Sequence, residues 1–150
     1  MKTCTNCGSK TLKTTTEDHE IRIGQKSIRG VIDAIACERC GEVYFPADAI
    51  ERLERDVATT LVRTGNVDGD AFRFVRHVIG MQAKDLAALL GVAAETVSRW
   101  EQGQRDVDRL AWLALAGLLH DRVSGADETR RTLEAVQHPT PMPNRVKIAS

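Results

Sequence analysis

The chain has 150 residues, 42% of them hydrophobic, and its 21 lysines and arginines balance 21 aspartates and glutamates. That length suits one medium domain or two small ones, and no run approaches the ~18 apolar residues of a transmembrane helix. The charge balance also holds locally, with ten of each sign over residues 1–63 and seven of each over 70–123. This argues against an unspecific polyanion binder, so any nucleic-acid contact must come from placed residues.

The first feature along the chain is Cys4-Thr5-Asn6-Cys7-Gly8, matched later by Cys37-Glu38-Arg39-Cys40-Gly41, and these four are the only cysteines. Two residues between thiolates let one turn aim both sulfurs at one cation, and two such turns complete a tetrahedron. The following glycines ease the turn, because only glycine takes positive φ freely. Disulfides are disfavoured: the polar start Met-Lys-Thr is no signal peptide, and a cytoplasmic chain keeps thiols reduced. A thioredoxin-like redox role needs a βαβ frame around Cys-x-x-Cys, and none is visible. The spacing leaves zinc and iron open. Sulfur-only structural sites usually hold zinc, so one structural zinc per chain on Cys4, Cys7, Cys37 and Cys40 is expected.

From Lys10 to Phe45 the texture is strand-like, with Thr14–Thr16, alternating Ile21 and Ile23, and Gly24 and Gly30 placed as turn residues. About forty residues bury little core, so the metal acts as the staple. Pro46 and Asp48 start a helix whose stripe of Ile50, Leu53, Val57 and Leu61 packs on the metal module or on a second subunit. Residues 65–69 read as a hinge.

Beyond the hinge the pattern is helical. Asp70 is placed to cap a helix ending at Gly80, and a short helix follows from about Ala83 to Leu90. Gly91 turns the chain into a third helix running to Gln102 and stopped by Gly103. A longer apolar helix covers roughly Asp108 to His120, and Ser124 with Asp127 forms a capping box for a last helix ending near Gln137. Leu110, Leu113, Leu118, Leu133 and Val136 exceed what one small domain covers and predict a dimer surface. Residues 138–150 hold three of the four prolines and are expected to form a flexible tail. The expected fold is thus α+β with two domains: a β-rich metal module over 1–64, a hinge at 65–69, and an all-α domain over 70–137.

Ala87, Gly91, Val97 and Trp100 stand at relative positions 0, 4, 10 and 13. There a helix-turn-helix needs a small residue, a turn glycine, a β-branched core residue and an aromatic plug. With Trp100-Glu101-x-Gly103, residues 70–120 resemble the Xre/Cro-type repressor domain. The resemblance implies a structural ion pair between Arg76 and Glu101. It also places Ala94, Glu95, Ser98 and Arg99 on the face that enters the major groove, and Gln82, Lys84, Gln104 and Arg105 on phosphates. Arg99 suits a guanine and Glu95 a cytosine amino group. Glu95 and Arg99 are also spaced to pair with each other on a helix surface. Ala93 stands where relatives carry a serine or threonine cap.

The two halves together, over residues 1 to about 137, resemble the MqsA-type (YgiT-type zinc-finger) antitoxins. That likeness implies a cytoplasmic homodimer joined through the C-terminal domain and bound to a palindromic operator in double-stranded DNA of its own promoter. It further implies that the N-terminal domain sequesters an mRNA-cleaving toxin. Arg99 matches a base-reading arginine of the family, whereas Glu95 replaces the family's asparagine reader. Two alternatives share the architecture: a stand-alone Xre-type regulator with no toxin partner, and a thiol- or metal-responsive one. An enzyme is not expected, because the four histidines are scattered and no acid-pair or nucleophile motif is present.

Overall fold

A computed structural model describes residues 1–149; Ser150, the last residue of the expected tail, lies outside the described residues. Strand β1 (Leu12–Ile23) and strand β2 (Lys26–Cys37) form a long antiparallel hairpin, from Leu12 opposite Cys37 to Ile23 opposite Lys26. Gly24, with φ 60°, makes its tight turn. The short β3 (Val43–Tyr44) pairs with Ile35 and Ala36 of β2, giving the sheet order β1-β2-β3. Gly30 is not at a turn, as its sequence context predicts, but mid-strand opposite His19. A Cβ there would come within 2.1 Å of Leu53 Cδ1, so this glycine serves close approach of a helix.

That helix is α1 (Ala49–Thr64), which begins three residues after Pro46. Its apolar stripe packs on the hairpin: Val57 joins Ile21 and Ile23 in a small core bordered by Leu53 and Leu61, while Ile50 stays exposed. Ala58, on another face, is fully buried in the main helical core. Helix α1 therefore contributes to both cores, and Leu61 borders both.

Helix α2 (Gly69–Ile79) is capped by Asp68, whose Oδ1 accepts from Ala71 N at 2.8 Å, rather than by Asp70. Asp70 instead lies against the hairpin turn, where a Cβ on Gly24 would be 2.0 Å from its Oδ2. Gly69 is the first helical residue and not part of the connecting loop, and a Cβ there would be 2.0 Å from the Trp100 carbonyl oxygen. Two short helices follow, α3 (Ala83–Leu90) and α4 (Ala94–Glu101), joined through Gly91 at φ 69°. Their inner faces put Leu86, Ala87, Val97 and Trp100 beside Phe72 and Val75. Phe72 meets Trp100 edge-on at 5.6 Å and Trp112 at 6.4 Å.

Helix α5 (Arg109–Ser124), capped by Asp108, runs one turn past the expected His120. Leu118 on it is buried in the core and unavailable to a dimer surface; Leu110 and Leu113 are exposed. Helix α6 (Glu128–Gln137) does not start with the expected capping box. Ser124 spends its hydroxyl on His120 O, and the buried Asp121 of α5 accepts from the backbone N–H of Thr129 at 2.8 Å and of Arg130 at 3.4 Å. Leu133 packs against the core from α6, and Val136 is exposed. Residues 139–149 carry no helix or strand and are exposed. The result, among the described residues, is a mixed α+β chain in which a small three-stranded sheet with a cysteine cluster precedes six helices. Among the described residues no helix is long and apolar enough to cross a membrane.

Candidate metal centre and nucleic-acid interface

The two cysteine turns repeat one backbone plan. In each, the first cysteine's N–H donates to the carbonyl five residues on, Cys4 to Ser9 and Cys37 to Glu42, both at 2.8 Å. In each, the closing glycine returns its N–H to that cysteine's carbonyl, Gly8 to Cys4 at 2.9 Å and Gly41 to Cys37 at 2.8 Å. Positive φ at Gly8 (71°) and Gly41 (77°) makes this closure possible without strain. The hairpin supplies the spacing: Leu12 pairs with Cys37, so the start of β1 and the end of β2 hold the two turns together.

All four sulfurs lie within 4.8 Å of one another, with Cys4–Cys40 and Cys7–Cys37 each at 3.6 Å. Metal–sulfur bonds of about 2.3 Å in a tetrahedron require sulfur–sulfur edges of about 3.8 Å, so the donor set fits one cation. Cys4 and Cys37 are 2% exposed while Cys40 faces solvent, which leaves an entry route. The site is suited to holding a metal ion with all four protein ligands and no open position.

A residue that sequence reasoning passed over completes the surroundings. The Tyr44 hydroxyl lies 3.1 Å from Cys4 Sγ and also accepts from the backbone N–H and the hydroxyl of Thr5. Its only sequence signal is an aromatic four residues after the last cysteine. The Tyr44 hydroxyl is the main cause that pulls the Cys4 thiol down to about 6, with smaller help from nearby amides. The Ser9 amide favours a thiolate at Cys7, yet burial and the neighbouring thiols outweigh it and push this thiol up to about 12. Cys37 is lowered, chiefly by the Cys40 amide. Tyr44 is raised, chiefly by its contact with Cys4. Cys4, Cys7 and Cys37 are thus drawn apart in opposite directions, because each thiol titrates in the company of the others.

The second constellation surrounds α4. Arg76 on α2 and Glu101 at the end of α4 form a fork, Nε to Oε1 at 2.5 Å and Nη2 to Oε2 at 3.0 Å. The remaining nitrogen, Nη1, donates to Met81 O at 2.9 Å, and both side chains are 9% exposed. This pair fixes α4 against α2, as the resemblance to the Xre/Cro-type domain implies. On the outer side Ala94, Glu95 and Arg99 are exposed and Ser98 is half-buried, accepting from Gln102 Nε2 at 3.1 Å. Glu95 and Arg99 do pair, at 2.6 Å, with side chains 71% and 53% exposed. Gln82 stands at the N-cap of α3 and Lys84 in its first turn, both exposed. Gln104 and Arg105 are exposed in the loop after α4. Ala93 occupies the N-cap of α4 and offers no side-chain hydrogen bond.

The family described as the antitoxin component of bacterial toxin-antitoxin systems, MqsA, matches residues 1–128. No match was found among curated proteins or among solved structures.

Proposed function

The chain belongs to the MqsA family of antitoxin components of bacterial toxin-antitoxin systems, and from that premise we propose a DNA-binding repressor that also neutralises a toxin. In this reading residues 1–64 are a zinc-stapled module, and residues 70–137 are a helix-turn-helix domain that dimerises and binds a palindromic operator. Autoregulation of the promoter, a ribonuclease-type toxin partner and a cytoplasmic location complete the proposal.

The observation that carries it is the asymmetry of α4. Its inner side is locked by buried Val97, Trp100 and the Arg76–Glu101 fork, while Ala94 and Glu95 at its start and Arg99 one turn on are presented to solvent. A helix held this firmly and offering a short exposed outer face suits insertion into the major groove. Arg99 then reads a guanine bidentately and Glu95, released from it, accepts from a cytosine amino group. Gln82, Lys84, Gln104 and Arg105 grip phosphates, which set register rather than sequence. The exposed Leu110, Leu113 and Val136 supply apolar surface for the dimer that spaces two such helices by one DNA turn. Zinc stabilises the N-terminal fold and takes no part in a reaction.

The test is selection of bound DNA fragments by the purified protein, with and without the product of the neighbouring gene. Arg99→Ala should cost about 1–3 kcal/mol on the preferred operator and little on random DNA. Arg105→Ala should weaken both alike and lower the salt slope by about one. Unchanged selected sequences with Arg99→Ala would remove base reading from α4. Failure of the neighbouring gene product to bind would leave a stand-alone regulator.

A further inference from the structure

A groove of about 620 Å³ lies between the end of α3 and its turn into α4, α4 itself, the loop before α5, α5 and α6. Leu90, Val92, Leu110, Ala114 and Leu133 give it apolar walls, and Asp106, Asp108 and Arg105 stand on its rim. Trp100, 3% exposed, also lines it, and the indole Nε1–H of this residue is buried with no hydrogen-bond partner.

The chain carries a segment that suits this groove. After α6, Met142, Val146 and Ile148 are 80–90% exposed. In Arg145-Val146-Lys147-Ile148 the apolar and basic residues alternate, so an extended backbone puts Val146 and Ile148 on one side and both cations on the other. We propose that this segment of one copy seats in the groove of a second copy, resting on the dimer described above. Val146 and Ile148 enter the apolar floor beside Trp100, and Arg145 and Lys147 meet Asp106 and Asp108.

The choice of a second copy follows from reach. Gln137, at the end of α6, already lies against Gly91, where a Cβ would be 2.6 Å from its Nε2, and neighbouring Val92 lines the groove. A segment meant for its own groove would need only a short return. Instead Pro139, Pro141 and Pro143 hold themselves and the preceding residues extended. Residues 138–143 then form a stiff spacer of about 18 Å, which carries residues 145–148 away from their own groove.

The test uses full-length, metal-loaded protein. The double variant Val146→Asp/Ile148→Asp is labelled with ¹⁵N and mixed with excess unlabelled wild-type chain. After subunit exchange, the Trp100 indole N–H resonance should move as Val146 and Ile148 come to rest beside this ring, while that of Trp112, which does not line the groove, stays in place. Mixing with unlabelled double variant should move neither. Dimerisation of the double variant should be weaker by about tenfold to a hundredfold, the scale of two aliphatic side chains less their ordering cost. A Trp100 signal unmoved in samples that sediment as dimers overturns the seating alone. A shift seen only when the label is on wild-type chain diluted into double variant assigns the tail to its own groove and also overturns it. Monomers throughout would overturn the dimer and the exchanged tail together.

Discussion

Helix α4 carries two arginine–glutamate pairs of the same chemistry in opposite surroundings, and their removal should differ about tenfold in cost. Glu101 is joined to Arg76 by two hydrogen bonds, with both side chains 9% exposed. In Glu101→Ala, Arg76 keeps only its bond to Met81 O and is left as a buried cation without a counter-charge. Breaking a buried pair from one side costs about 3–5 kcal/mol, because the desolvation of the survivor is no longer offset. Glu95→Ala also breaks a short pair, but its partners are 71% and 53% exposed and water solvates the freed Arg99. That loss is about 0.2–1 kcal/mol. At about 2–4 °C per kcal/mol for a chain of this size, Glu101→Ala should melt roughly 10 °C below wild type and Glu95→Ala within a few degrees. Calorimetry of both variants, with Arg76→Met/Glu101→Leu as a third, is the assay. The apolar double variant should recover much of the loss, since the cost comes from an unpaired charge rather than missing contacts. Equal melting shifts for Glu101→Ala and Glu95→Ala would refute the reasoning, as would a double variant worse than the single one.

Gly69→Ala should destabilise by about 2 kcal/mol or more, although alanine is the better helix former: its Cβ would meet the Trp100 carbonyl oxygen at 2.0 Å, and backbone yields little. Urea unfolding measures it, and a gain in stability would show that α2 and α4 are not in this close contact. Tyr44→Phe should leave the chain folded but lower metal affinity about 10–100-fold, because the hydroxyl that favours the Cys4 thiolate is lost. Competition with a chromophoric chelator reads it. The same titration over pH should show wild-type affinity falling as pH drops, since cation and protons compete for the thiolates; affinity independent of pH would contradict thiolate ligation. Asp121→Ala should cost about 1–2 kcal/mol and raise hydrogen exchange in the first turn of α6 selectively, because Thr129 and Arg130 lose the carboxylate their amides donate to.

What was legible in the sequence is what short-range chemistry decides. The cysteine spacing and its glycines encode two like turns, because the geometry of five consecutive residues sets where both sulfurs point. The ends of α2, α3 and α4 were readable from Gly80, Gly91 and Gly103, each at positive φ, where a side chain would be strained. The Arg76–Glu101 pair was readable only through a family-like pattern, not from any local rule. Gly30 and Gly69 looked like a turn and a hinge, yet each sits where another element comes too close for a Cβ, a matter of which surfaces meet in three dimensions. Asp121 gave no capping signal, since it lies in the last turn of the preceding helix and acts on amides eight and nine residues later. Leu113 and Leu118 are chemically identical on one helix, and only the angle at which α5 packs leaves one exposed and buries the other. Periodicity assigns α1 an apolar stripe; that it also sets Ala58 in the helical core, and so ties the sheet to the helices, depends on contacts between residues far apart in the chain, which no local pattern carries.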